Sequence, residues 1–108
     1  MKKFLYNSLN GLLDKLESEL NELEVELEDL SNNRKYTFME AESIKTADIW
    51  LDFVIQRVMG LAMEHPELPD DVFEKLIRIK DKANELHEFI HTHFSDVWQK
   101  DYTFNAGT

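Results

Sequence analysis

The 108 residues suffice for one folded domain with one core and leave no room for a second of ordinary size. With 43% hydrophobic and 31% charged residues the chain carries enough apolar surface to offset the entropy of ordering it, which excludes a disordered chain. A net charge of −10 argues against nucleic acid or an anionic membrane as a direct partner. The lack of cysteine removes disulfides and thiolate metal sites and makes the cytoplasm the expected location.

The start, MKKFLYNSLNGLL, has the basic end and apolar flavour of a secretion signal, but Asn7, Asn10 and Asp14 interrupt it and no small-residue cleavage pattern follows. It reads instead as the opening of a first helix over about residues 3–31. Tyr6, Leu9, Leu13, Leu16, Leu20, Leu23, Leu27 and Leu30 recur in alternating steps of three and four, which winds one apolar seam along that helix as in a coiled coil. Glu17, Glu19, Glu24 and Glu26 flank the seam, so a parallel pairing of two copies through it would oppose glutamates. Ser31-Asn32-Asn33 stops the helix.

Thr37 and Glu40 form a capping-box pattern for a second helix, over about residues 38–64 and closed by His65-Pro66. Residues 49–63 are the most apolar window, yet Asp52, Gln56 and Arg57 sit inside a run too short to span a bilayer. Asp48, Asp52 and Gln56 fall on one narrow polar line. Apolar residues cover most of the remaining surface, more than two slim neighbours can bury, so Trp50, Phe53, Met59 and Met63 are expected to meet the same helix of a second copy.

The segment PELPDD makes the second connection, with Asp70 or Asp71 as the expected cap of a third helix over about residues 70–100. Its seam is Val72, Leu76, Ile79, Ala83, Leu86, Ile90, His93 and Val97, flanked by Lys75, Lys80 and Lys82, with Glu74, Asp81 and Glu88 outermost. Acidic flanks on the first helix and basic flanks on the third predict that these two pack together. Residues 101–108 are left as a tail to a single helical domain over residues 1–100. The expected fold is all-α: an elongated antiparallel three-helix bundle that dimerises into a larger helical core.

Two motifs bear on chemistry. His87-Glu88-Phe89-Ile90-His91 has the spacing of the zinc-protease signature, in which two imidazoles one helical turn apart hold an ion and the glutamate acts on bound water. Catalysis also needs a third ligand, and His93 lies about 160° around the helix from His91. His87 and His91 share a stripe of mixed polarity with Phe73, Ile77, Lys80, Asn84, Phe94 and Trp98, so both are expected to be structural; if any metal binds, they are its candidates. Glu88 and His91 match the E-x-x-H element of di-iron bundles only once, which is half a site. No catalytic residues are assigned and no cofactor is expected.

The second motif is the run over residues 17–29, which has no Lys or Arg and places Glu17, Glu22, Glu24, Glu28 and Asp29 on a rigid rod. Such a face keeps an apolar bundle soluble, and it also offers carboxylates at the spacing of neighbouring phosphates to a basic, nucleic-acid-binding protein. The function expected is therefore a non-enzymatic acidic interaction protein, possible examples of its class being antitoxins and phage anti-defence inhibitors. A purely structural oligomerisation module and a metal-binding bundle using the HEFIH segment are the alternatives.

Overall fold

A computed structural model describes residues 3–33 and 36–97, which form three helices, α1 (Lys3–Asn33), α2 (Phe38–Glu64) and α3 (Asp70–His93), with no strand among the described residues. In α1 the heptad-spaced Leu13, Leu20 and Leu27 are buried, while Tyr6, Leu9, Leu16, Leu23 and Leu30 pack half-buried against the same core. One narrow line is sealed and its shoulders stay partly wet, as expected for a rod covered from one side.

α2 begins where the capping-box residues place it. Glu40 N–H donates to Thr37 Oγ1 at 3.1 Å, and Thr37 N–H donates to Glu40 Oε1 at 2.8 Å, so two donors at the helix start are satisfied reciprocally. Thr37→Ala is expected to lower stability by about 1 kcal/mol while Thr37→Ser stays near wild type, as read from urea unfolding followed by circular dichroism. α2 buries Ala41, Ile44, Leu51, Val54 and Val58 and ends with the His65 N–H donating to Leu61 O at 3.1 Å. Leu68, buried in the connection, plugs the core between the two prolines.

The start of α3 differs from expectation. Pro69, not Asp70 or Asp71, is the N-cap; its carbonyl accepts from Val72 and Phe73, and no side chain caps the helix. Pro69 holds the extended backbone (φ −61°, ψ 153°) from which a helix can start, and the two aspartates lie in the first turn, where negative charge is favourable against the positive end of the helix dipole. The end differs too: α3 stops at His93, where the seam predicts continuation towards residue 100. Phe94 leaves helical geometry (φ −125°, ψ 25°) and buries its ring 5.9 Å from that of Tyr36. Val97 remains buried, as the seam predicts, but the expected core position of His93 is exposed. Phe94 is buried where His93 is not, and a phenyl ring is buried at lower desolvation cost than an imidazole. Burial, and secondly the neighbouring Asp96 carboxylate, push the Tyr36 phenol well above its ordinary range. Trp98, Lys100 and the expected tail lie outside the described residues.

α3 is the shared helix. Its Val72, Leu76, Ile79, Ala83, Leu86 and Ile90 are all buried, and it packs along both α1 and α2. No Cα of α1 comes within 8 Å of one of α2. Charged partners follow the same plan: Lys75 Nζ lies 2.7 Å from Asp14 and 2.6 Å from Asn10 Oδ1, Arg78 Nε 2.9 Å from Glu17, and Lys82 Nζ 2.6 Å from Glu24, with the Tyr6 hydroxyl donating to Asp71. The partners rise together in number along α1 and α3. Between α2 and α3 the order reverses: Tyr36 meets Phe94, and Asp48 meets His87 and His91. Lys80 departs from the expected flank and approaches Asp81 of its own helix at 3.9 Å. Exposed pairs of this kind contribute about 0–1 kcal/mol each, so they set which faces meet while the apolar residues supply the energy. The molecule is elongated, with extents of 56 × 24 × 21 Å.

Candidate functional site

The two polar stripes noted separately on α2 and α3 meet. Asp48 lies on α2 facing α3, and His87 and His91 lie one turn apart on α3 facing α2. His87 Nδ1 is 2.7 Å from Asp48 Oδ1 and His91 Nε2 is 2.9 Å from Asp48 Oδ2, so one carboxylate spans both imidazoles. The two rings are 4.5 Å apart between centroids. Asp48 is the most enclosed of the three, with 14% of its side chain exposed against 37% for His87 and 50% for His91. The carboxylate is thus held at the bottom of the helix interface and the imidazoles close over it from the solvent side.

Glu88 is exposed, about 100° around α3 from His87 and about 60° from His91, and it is not among the donors that cluster with the two imidazoles. His93 is also apart from the pair, its ring 4.3 Å from that of Phe89. The third member of the cluster is therefore Asp48, which the HEFIH spacing could not indicate. The available signal was the polar line Asp48, Asp52, Gln56 on an otherwise apolar helix, because such a line requires a polar partner. Beside the trio a cavity of about 490 Å³ is lined by Asp48, Ile49, Asp52, Phe53, Gln56 and His87.

The five acidic residues of α1 separate. Glu17 and Glu24 point towards α3 and are paired with Arg78 and Lys82, and Glu28 follows one turn beyond Glu24 on that side. Glu22 and Asp29, seven residues apart, share the opposite, outer side with Glu19 and Glu26 beside them. All four are exposed, and among the described residues none makes an ion pair.

The expected self-association residues also fall on different sides. Trp50 is half-buried against the core and, with Phe53, lines a cavity of about 260 Å³ between α1 and α2 whose other walls include Leu9, Leu12, Leu13 and Leu16. Met59 stands about 180° around α2 from Trp50, on the flank away from α1. Phe53 is 68%, Met63 79% and Ile49 60% exposed, so the outer face of α2 carries large apolar side chains, interleaved with the exposed Asp52, Gln56 and Arg57.

A scan against protein-family models, a search of curated proteins and a search of solved structures each give no match to this chain. What the chain itself defines is a class: a three-helix protein with no strand among the described residues and no described helix long and apolar enough to cross a membrane.

Proposed function

We propose that this protein is a non-enzymatic interaction module, an antiparallel three-helix bundle that pairs with a second copy through α2 and presents the outer side of α1 to a basic protein. The observation that carries the reading is the division of the α1 carboxylates. Glu17 and Glu24 are paired in holding α1 to α3, whereas Glu19, Glu22, Glu26 and Asp29 are exposed and make no ion pair among the described residues. Like charges crowded on one helix face cost stability, and a complementary basic surface relieves that cost on binding. The bundle topology is supported by the order of partners, which rises together for α1 and α3 and reverses for α2 and α3. Pairing through α2 is supported by the exposed Ile49, Phe53 and Met63.

Capture from the native host tests the acidic surface. A Glu22→Lys/Glu26→Lys/Asp29→Lys variant is expected to lose salt-sensitive basic proteins that the wild type retains, with helix content unchanged by circular dichroism. Because Glu17 and Glu24 are left in place, folding and docking are read separately. Recovery of the same proteins in the same yield would reduce the acidic row to a solubilising surface.

A further inference from the structure

We propose that Asp48, His87 and His91 form a binding site for one divalent transition-metal ion, which clamps α2 to α3. The donor atoms, one carboxylate oxygen and one nitrogen from each imidazole, all lie within 4.8 Å of one another. An ion with bonds of about 2.0–2.2 Å to such ligands holds its donors roughly 3–3.5 Å apart, so the three groups are close enough to share one ion once they draw together around it. Two ligands come from one turn of α3 and the third from a different helix, so the spacing is fixed by the packing of Leu51, Ile44, Leu86 and Ile90 and not by a flexible loop.

The donor set selects the ion. Two imidazoles and one carboxylate suit zinc and its neighbours, cobalt, nickel, copper and ferrous iron, whereas calcium and magnesium take oxygen ligands. Three protein ligands leave at least one coordination position for water, and the half-exposed His91 leaves that side open to solvent. Asp52, one turn further along α2 and lining the same cavity as Asp48 and His87, adds negative charge beside the ion. Glu88 is exposed and is not one of the clustered donors, and the ion's role here is that of a structural clamp between α2 and α3. Metal binding stabilises the folded state through mass action, because the unfolded chain does not hold the Asp48 ligand beside the two imidazoles. The inference is independent of the acidic surface and of pairing through α2.

The test uses the full chain without a histidine tag and zinc chloride as the only added ligand. Calorimetric titration is expected to give one zinc per chain, and excess zinc is expected to raise the melting temperature. Asp48→Asn, which keeps the histidine pair and nearly the same volume, is expected to weaken binding by at least about tenfold and to remove the thermal shift. Nuclear magnetic resonance of wild-type imidazole nitrogens provides a reading that needs no variant: of the four histidines, His87 and His91 alone are expected to shift with the first equivalent. Absence of stoichiometric zinc, shifts centred on His65 or His93, or unchanged affinity in Asp48→Asn would each overturn the proposal, the last by reducing it to chance binding at a histidine pair.

Discussion

Ile79→Ala is expected to lower the unfolding free energy by about 2–5 kcal/mol. Ile79 has 0% exposure and sits mid-way along α3, the helix that packs against both others. A cavity there removes contacts on two interfaces at once. Neighbours on straight helices cannot collapse into it, because their own seams are fixed by α1 on one side and α2 on the other. For a domain whose total stability is about 5–15 kcal/mol, such a loss is a large fraction of the whole. Ile77→Ala is the matched control. Ile77 is two residues away on the same helix but 53% exposed, and its loss is expected to stay within about 0.5 kcal/mol. Urea unfolding of the two variants checks both values; equal effects would mean that Ile77 is covered in solution or that α3 is not the central helix.

Phe53→Glu is expected to abolish the proposed pairing through α2, raising the dissociation constant of the dimer at least about tenfold with helix content intact. Phe53 stands at the centre of the outer α2 face, 68% exposed, flanked by Ile49 and edging the apolar cleft shared with Leu12 of α1. An exposed aromatic in a monomer gains nothing from its position, so a glutamate there costs the isolated bundle little. At a two-fold contact the same change places two carboxylates, each opposite apolar surface, in a site that excludes water. Sedimentation equilibrium over a range of concentrations reads the result. A wild type already monomeric at high concentration would remove the α2 pairing, while leaving the α1 surface and the Asp48 cluster untouched.

The helices were legible because their signals are local. The leucine seam of α1, the Thr37–Glu40 box and the Val72-to-Ile90 repeat each depend on residues within one or two turns, and each lies where periodicity puts it. The partnership of α1 with α3 was legible from opposite charges, and Glu17, Glu24, Lys75 and Lys82 occupy that interface. The end of α3 was not. Apolar periodicity continues to Val97, but the chain turns at Phe94 because its ring packs beside Tyr36, a residue 58 positions earlier whose proximity has no local signature. The cap at Pro69 was missed for the opposite reason: aspartate side chains have a strong preference for caps, and here backbone carbonyl geometry set by proline served instead.

Sequence alone determined that the chain is helical, where its apolar seams run and which rods carry opposite charge, since these follow from spacing along a single helix. Tertiary structure decided what spacing cannot: that the carboxylates of α1 divide into paired and exposed sets, and that Trp50 and Met59 look in opposite directions. It also decided that the companion of His87 and His91 is Asp48, not Glu88. A side chain's direction follows from the rotation of its own helix, but its partner follows from the relative rotation of two helices. That second angle is fixed only when whole seams are packed together.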